Sequence, residues 1–327
     1  MSAPSPVSQR QAGAPTSQAL VAIGGGKDSL VSIEALRAAG VPQTVAWIGS
    51  SPLIAACAAR TGLPTFGIGR RLAPELFEFN RQGARNGHIP VSAVNSAILV
   101  LAALLRGFDQ VVFSNERSAS YGSLIPGAGE VNHQWSKGWA FERLFGEYVE
   151  TVIAPDLYYY SLLRPLSEVA VARAFARLDR YDDVFSSCNR NFHLLGERPA
   201  ARWCGQCPKC RFVFLALAPF MPKPRLTAIF GRNLLDEADQ QAGFDALIEY
   251  RDHKPFECVG EGLEARAAFA ALARSPAWRE DALVARFARE IAPRLEAVPE
   301  LADLLPPAGE HRVPAAIWSR VDAYLRA

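Results

Sequence analysis

The chain has 327 residues, half of them hydrophobic, and its 35 basic and 33 acidic side chains give a formal net charge of +2. This length allows one large domain or two smaller ones, each with a sizeable core. A charge so close to zero gives no strong basic field, which argues against nucleic acid or an anionic membrane as a partner.

The N-terminal segment is rich in Ala, Pro, Ser and Gln, and it lacks the basic start and apolar core of a secretory signal. This composition predicts a disordered tail at residues 1–18. The most apolar stretch, AVNSAILVLAALLRGF, is shorter than the ~20 residues that a membrane span needs. We therefore expect a cytoplasmic protein, in which free thiols and metal thiolates are commoner than disulfides.

Short apolar segments alternate with helical patterns through the first two thirds of the chain. Strands are predicted at 19–23, 44–48, 64–68, 110–113 and within 156–166, and helices at 28–39, 51–60, 94–106 (a buried helix) and from Ser167 onward. This alternation predicts an α/β fold with a doubly wound parallel sheet. Strong helix formers with amphipathic spacing follow from about Leu226. We expect an α/β domain at 19–225 and a mainly helical C-terminal region at 226–327.

The first strand runs into the first helix through the turn IGGGKDS, which has the layout of an anion site. Glycines let backbone N–H groups approach an anion, and a helix N-terminus adds unpaired donors and the positive end of its dipole. Lys27 adds a charge, and Ser29 either donates to a phosphate or caps the helix. The simpler alternative is a turn without a ligand, although three successive glycines cost backbone entropy and add no packing.

Two familiar phosphate-loop patterns fail on this turn. The Walker pattern needs glycine at Val21, and the dinucleotide fingerprint needs glycine at Ser29. The turn instead resembles the pyrophosphatase loop S-G-G-x-D-S. That resemblance implies ATP cleavage between the α and β phosphates. The ATP-binding residues are then Gly24, which replaces the first serine of the motif, and Gly25, Gly26, Lys27, Asp28 and Ser29.

Two polar segments follow the later strands. The turn SNERS comes after the strand at 110–113, where Arg117 is a candidate to hold a phosphate or carboxylate and Glu116 a candidate to hold Mg²⁺. A solvated loop with a local ion pair is the alternative. The second segment, NHQWSKGWAFE at 132–142, combines His133, Lys137 and two Trp. This mix suits a substrate surface, with an amphipathic surface helix as the alternative.

Four cysteines form a candidate metal site. Cys204, Cys207 and Cys210 have C-x₂-C-x₂-C spacing, and Cys188 lies upstream. Four thiolates suit a tetrahedral, structural Zn²⁺ site with no open position. An iron–sulfur cluster, a redox pair and buried free thiols are the alternatives, and His193 is an alternative fourth ligand.

Two further cysteines lie outside that cluster. Cys57 is predicted to be a core thiol on a helix. Cys258, in the polar loop ECVGEG, is either a reactive thiol or a structural one, and the sequence favours neither.

The motifs GGGKDSLVSIEAL, GHIPVSAVNSAI, FSNERSAS, NHQWSKGWAFE, SCNRNFH, WCGQCPKC and ECVGEG together resemble the UDP-N-acetyl-α-D-muramoyl-L-alanyl-L-glutamate epimerase (MurL) family over residues 20–265. The resemblance implies an ATP- and Mg²⁺-dependent inversion of a terminal L-glutamyl residue through an acyl-adenylate, in peptidoglycan precursor synthesis. Members of that family carry a further N-terminal domain. Because only a short polar tail precedes the first strand here, we expect a truncated or shorter relative.

Inversion at a carbon next to a carboxyl group requires one base on each face. The candidates are His133, Lys137, Glu116 and Cys258, and the sequence does not choose among them. Two other classes stay open at this point. One is a pyrophosphatase-loop enzyme that modifies a nucleoside or tRNA, since queuosine-precursor synthases have a similar cysteine arrangement. The other is an inactive nucleotide-binding relative.

Overall fold

A computed structural model describes residues 17–85, 89–125, 127–192, 198–251 and 253–327. Five parallel strands form one sheet in the order β3-β2-β1-β4-β7, and β5 pairs with β6 in a separate antiparallel hairpin. The strands are β1 Ala19–Ala22, β2 Gln43–Ile48, β3 Thr65–Ile68, β4 Gln110–Phe113, β5 Ser123–Ile125, β6 Gly129–Val131 and β7 Tyr158–Ser161. The five strands predicted from the sequence form the parallel sheet.

Helices cover both faces of this sheet, which confirms the predicted doubly wound α/β class. Within the described residues they are α1 Lys27–Ala38, α2 Pro52–Arg60, α3 Pro74–Arg81, α4 Val91–Arg106, α5 Trp139–Tyr148, α6 Glu168–Ala176, α7 Pro208–Leu217, α8 Lys223–Phe230, α9 Gln241–Leu247, α10 Gly262–Arg274, α11 Ala282–Arg286, α12 Leu301–Leu304 and α13 Ala315–Arg326. None of them combines the length and apolar character that a membrane crossing needs.

The central strands are buried on both faces because their side chains alternate between two cores. Val21 of β1 packs in a core that also contains residues of α1, α6, α7, α10 and α13. Leu20, its neighbour, packs on the opposite face with residues of α4. Helices on both sides of residue 225 therefore share one core, and the predicted division of the chain at that residue stays a prediction.

One predicted element differs from the structure in burial. The helix at 94–106 was expected to be buried, but α4 begins at Val91 and buries only one stripe. The buried residues Ser96, Leu99, Val100 and Ala103 lie at positions i, i+3, i+4 and i+7, which is the spacing of one helix face. The outer face carries Leu101 and Leu105, which are 57% and 78% exposed.

A buried arginine after β7 ties together the turns around the later strands. Arg164 and Glu142 of α5 form an ion pair at 2.9 Å, and their side chains are only 2% and 1% exposed. The Arg164 guanidinium also donates to the carbonyl oxygen of Glu116 at 2.7 Å and to that of Lys137 at 2.5 Å. These bonds fix the backbone of two segments that the sequence singled out as functional.

We expect Arg164→Met to lower the free energy of unfolding by about 3–5 kcal/mol, because it leaves the Glu142 carboxylate buried without its cation. Arg143→Met on α5 is the matched control, since Arg143 pairs with Glu147 at the surface. That change should cost less than about 1 kcal/mol. Urea unfolding of both variants measures the difference, and similar losses in both would contradict the role given to Arg164.

Candidate active site

A cavity of about 330 Å³ opens at the carboxyl ends of β1 and β4. These two strands are neighbours, and the sheet grows from β1 toward β2 and β3 on one side and from β4 toward β7 on the other. Open α/β sheets bind ligands at such a switch point. The glycine turn after β1 and the turn after β4 both border the cavity, so the fold brings two predicted polar segments together.

The glycine turn directs the N-terminus of α1 at this cavity, which Gly24, Gly26, Asp28 and Ser29 line. Gly25 adopts a left-handed conformation with φ of +81°, which favours glycine. Gly26 is the N-cap residue of α1, and it offers no side chain to the N–H groups of the first turn. Those N–H groups are therefore available to an anion in the cavity.

The sequence predicted that Lys27 adds its charge to the anion site, but its side chain does not face the cavity. Its side chain is fully buried, outside the cavity lining, and its Nζ pairs with the carboxylates of Asp28 and Glu168. Burial alone would lower the pKa of Lys27, but these two carboxylates raise it well above its usual value. Lys27 is thus a charged structural group beneath the loop, because the first turn of α1 points its side chain toward α6.

A second cavity, of about 70 Å³, adjoins the first and shares Asp28, Lys137 and Cys258 with it. Glu116 and Gln134 also line this smaller cavity. The structure therefore assembles three of the four predicted bases in one place.

The fourth predicted base lies beside them. The Nε2 atom of His133 is 4.0 Å from the Cys258 Sγ, and the Lys137 Nζ donates to that sulfur at 3.4 Å. The His133 ring also packs on Phe256, with centroids 4.4 Å apart. Cys258 is only partly buried and has two nitrogen groups next to it, an environment that suits a reactive thiol better than a core thiol.

Two of these groups have shifted pKa values that suit proton transfer near neutral pH. Burial, together with the Glu168 and Asp28 carboxylates, raises the pKa of Glu116 to about 7. Burial and the Lys137 and Lys254 cations lower the pKa of His133, so its imidazole is mainly neutral at pH 7. A carboxyl group with a pKa near neutrality both accepts and returns a proton readily.

Arg117 lies elsewhere, although it follows Glu116 directly. It lines a separate cavity with Tyr121, Trp139 and Glu310. Glu116 has an extended backbone and Arg117 begins a short 3₁₀-helix, so the chain turns between them. The structure does not bring Arg117 to the glycine turn, and its role in holding a phosphate or carboxylate stays a prediction.

The four predicted metal ligands come together at the N-terminus of α7. The Sγ atoms of Cys188, Cys204, Cys207 and Cys210 lie within 4.8 Å of one another. Two of the separations are 4.0 Å (Cys188 to Cys207) and 3.7 Å (Cys204 to Cys210). A tetrahedral site with Zn–S bonds of about 2.3 Å has sulfurs about 3.8 Å apart, so this geometry fits a zinc ion.

Backbone N–H groups stabilise the sulfurs of this cluster. Gln206 and Cys207 donate to the Cys204 Sγ at 3.4 and 3.3 Å, and Cys210 donates to the Cys207 Sγ at 3.4 Å. These bonds hold the Cys204 and Cys207 sulfurs in the tight turn that precedes α7. The alternative ligand His193 lies outside the described residues. Cys57 is fully buried in the main core, as predicted for a core thiol.

Two family models match the sequence. The model of the MurL N-terminal domain matches residues 2–162, and that of the MurL C-terminal domain matches residues 184–301. The chain belongs to the MurL family.

Three relatives bear the name UDP-N-acetyl-alpha-D-muramoyl-L-alanyl-L-glutamate epimerase. The relative from Xanthomonas oryzae pv. oryzae is 72% identical over 93% of this chain and 68% of its own length. The relative from Micromonospora sp. is 46% identical over 90% of this chain and 66% of its own length, and that from Salinispora tropica is 47% identical over 86% and 60%. The chain thus spans 60–68% of the length of these MurL relatives. The expectation that the additional residues of these relatives form a further N-terminal domain stays a prediction.

The structure adds residues to the site of this MurL chain that the sequence analysis did not select. Ser186 donates its N–H to the Gly25 carbonyl at 3.0 Å, and Ser187 contacts Gly26 so closely that an added Cβ would lie 2.5 Å from its Oγ. Asn95 of α4 lines the large cavity, and its buried Oδ1 has no hydrogen-bond partner among the described residues. Ser187 and Asn95 lie within the family-like motifs SCNRNFH and GHIPVSAVNSAI, but neither motif by itself gave these residues a role.

The glycine turn offers a matched pair of substitutions. Gly25→Ala forces a residue with a Cβ into the left-handed region, and we expect it to cost about 1–3 kcal/mol of unfolding free energy. Gly24→Ala is the control, because an added Cβ there meets nothing within 4 Å, and it should change stability by less than about 0.5 kcal/mol. Denaturant unfolding compares the two. Equal losses would show that the turn does not have this conformation.

Proposed function

We propose that this chain uses ATP and Mg²⁺ to invert the terminal L-glutamate of UDP-MurNAc-L-Ala-L-Glu through an acyl-adenylate, in peptidoglycan precursor synthesis. The names of its relatives support the substrate and the inversion. The proposal rests mainly on one observation: a glycine turn suited to an anion and a cluster of acid–base groups line adjoining cavities. The cytoplasmic location stays a prediction.

The 330 Å³ cavity beside the glycine turn has features that suit ATP. The first turn of α1 offers backbone N–H groups to phosphate oxygens. Trp47, Ile48 and Leu99 give the cavity apolar walls against which a planar base can pack. The unpartnered Oδ1 of Asn95 is an acceptor for a hydroxyl or amino group of the nucleotide. Bound ATP would supply the adenylyl group that activates the substrate carboxylate, with cleavage of the bond between the α and β phosphates and release of pyrophosphate.

Carboxylates near the turn suit Mg²⁺, which prefers oxygen ligands and is commonly held by one or two carboxylates together with substrate phosphates. Asp28 lines both cavities, next to the glycine turn, and Glu116 lines the smaller one. We assign Asp28 to the metal, since it lies at the start of α1, and keep Glu116 for proton transfer. Bound Mg²⁺ supplies positive charge that compensates the phosphates.

The chemistry explains why an inversion would need ATP. Removing the Cα proton beside a free carboxylate builds a second negative charge on the same group. An acyl-adenylate removes the first charge, and the Cα proton becomes acidic enough for a side-chain base. One base then takes the proton from one face, and a second returns a proton to the other. Hydrolysis of the activated acid releases AMP and the inverted glutamate.

We assign the two bases to Cys258 and Glu116. Cys258 lines both cavities, and the Lys137 Nζ donates to its sulfur at 3.4 Å. Glu116 comes from a different segment and has a pKa of about 7. His133, 4.0 Å from the thiol, accepts a proton from Cys258 when the thiolate forms.

The cysteine cluster is assigned to a structural zinc ion. All four ligands are cysteines, so a bound Zn²⁺ has no open position for substrate, and its role is to hold chain segments together. The ion would join the segment at Cys188, which follows the serines at the glycine turn, to the start of α7.

The activity test uses ATP, Mg²⁺ and UDP-MurNAc-L-Ala-L-Glu, with pyrophosphate release and glutamate chirality as readouts. We expect pyrophosphate release that depends on the precursor, together with D-glutamate. In Cys258→Ser and Glu116→Gln we expect pyrophosphate release to continue while inversion falls by about 10²–10⁴-fold, because proton transfer is lost and activation is kept. Glu280→Gln, at an exposed position, is the control.

Deuterium exchange in D₂O assigns each base to a face. Starting from the L- and D-glutamyl precursors separately, each variant should exchange the Cα proton of one epimer only, and the two variants should differ in which one. Inversion that persists in both variants would contradict the assignment. Pyrophosphate release without inversion in the unaltered protein would contradict the epimerase itself.

Metal analysis tests the cluster. We expect one zinc ion per chain, and Cys204→Ser should lose it and lower the melting temperature by roughly 5 °C or more, because a lost structural metal removes several kcal/mol of folding free energy. Cys258→Ser is the control and should keep its zinc. Iron in place of zinc, or equal zinc content in both variants, would contradict the assignment.

A further inference from the structure

A lysine inside the cysteine motif is placed differently from the lysine of the glycine turn. Lys209 lies between Cys207 and Cys210, in the first turn of α7. Cys207 is the N-cap residue of that helix, and its Sγ accepts from the Cys210 N–H at 3.4 Å. Two ligands of the cluster therefore fix the rotation of the turn that carries Lys209.

The side chain of Lys209 leaves the cluster and reaches the two cavities. It is one of the lining residues of both, whereas Lys27 lines neither. Its side chain is only 10% exposed, and its Nζ is 3.2 Å from one oxygen of Glu168. Lys27 pairs with the other oxygen of that carboxylate. Glu168 is thus held between a lysine beneath the turn and a lysine that faces the open space.

Few lysines near the cavities are placed to bind an anionic ligand. Lys27 has both Asp28 and Glu168 as partners, so its charge is compensated within the protein. Lys137 is 3.4 Å from the Cys258 sulfur, on the acid–base side. Among the described residues that line both cavities, Lys209 and Lys137 are the two cations. Lys209 shares one carboxylate with Lys27, which leaves it the better placed to meet additional negative charge.

We propose that Lys209 binds the β- and γ-phosphates of the nucleoside triphosphate, and that the metal-loaded cysteine cluster positions it there. The inference rests on the proposed use of ATP and assigns the phosphate-binding cation to α7 instead of α1. The cluster then affects nucleotide binding as well as the fold, since the loss of its metal frees the turn that carries Lys209. Metal content then controls affinity for the triphosphate end of the nucleotide.

Calorimetric titration with α,β-methylene-ATP and with AMP, both with Mg²⁺, tests the role of Lys209. Lys209→Met should weaken binding of the triphosphate analogue tenfold or more and leave AMP affinity within twofold, since AMP lacks the two phosphates. Lys209→Arg should recover part of the loss. Lys223→Met, on α8, should bind both nucleotides as the unaltered protein does. Retained AMP binding also shows that the variant is folded.

Three outcomes would overturn this role. Unchanged affinity of Lys209→Met for the triphosphate analogue would remove the contact, and equal losses for the analogue and AMP would remove its specificity for the β- and γ-phosphates. Failure of the unaltered protein to bind either nucleotide would contradict the proposed ATP use itself, and this inference with it.

The positioning role has its own test. Cys204→Ser and chelator-treated protein should show the same selective loss of the triphosphate analogue, with AMP affinity kept. Glu280→Gln, at an exposed position away from the cluster and the cavities, should bind both nucleotides with unchanged affinity. Normal triphosphate binding by metal-free protein would overturn the coupling. Loss of both nucleotides together would overturn it as well, since the cluster would then support the whole fold.

Discussion

The site depends on the buried ion pairs that the Glu168 carboxylate forms with two lysines. Glu168 begins α6, and its carboxylate lies between the ammonium groups of Lys27 and Lys209, which come from α1 and α7. Burial would raise the pKa of Glu168, but Lys209 and Lys27 outweigh it and lower that pKa to about 2. A charge buried this deeply is stable only while its partners remain, so these three helix starts are held in one arrangement.

The same carboxylate connects the site to the C-terminal helices. The Glu168 backbone N–H donates to Glu264 of α10 at 2.8 Å, and Glu264 also accepts from the Ser118 hydroxyl at 3.0 Å. Burial, with the Glu168 and Glu261 carboxylates, raises the pKa of Glu264 to about 8. The helical region is therefore part of the framework that fixes the turn after β4, and its role extends beyond covering the sheet.

The proposed function divides the site into a phosphate end and a proton-transfer end. The start of α1 and Lys209 provide the first, and Cys258 with Lys137 and Glu116 provides the second. Arg164 fixes the proton-transfer end, because it holds the backbone of both Glu116 and Lys137 from the end of β7. This arrangement suits a reaction in which a carboxylate is first activated and the adjacent carbon is then deprotonated.

The features that were predicted correctly are those that depend on residues close together in the chain. The glycine turn and the C-x₂-C-x₂-C spacing are local patterns, and the alternation of strands and helices predicted the sheet. The sequence could not show that Lys27 is buried, since its partner Glu168 lies 141 positions away. Arg117 was a candidate ligand because its turn follows a strand of the sheet, yet the chain turns between Glu116 and Arg117 and carries Arg117 to another cavity. The exposed face of α4 was missed because its apolar residues outnumber those that the sheet can cover.

We propose above all that the glutamyl carboxylate is activated by adenylation within this site. The most direct measurement uses the precursor labelled with ¹⁸O in both oxygens of the carboxylate that undergoes activation, followed by mass spectrometry of the nucleotide released during turnover. Adenylation should give AMP that carries one ¹⁸O, because an acyl-adenylate hydrolysed at its carbonyl carbon leaves one substrate oxygen on phosphorus. Inversion accompanied by unlabelled AMP, by ADP, or without ATP consumption would contradict it.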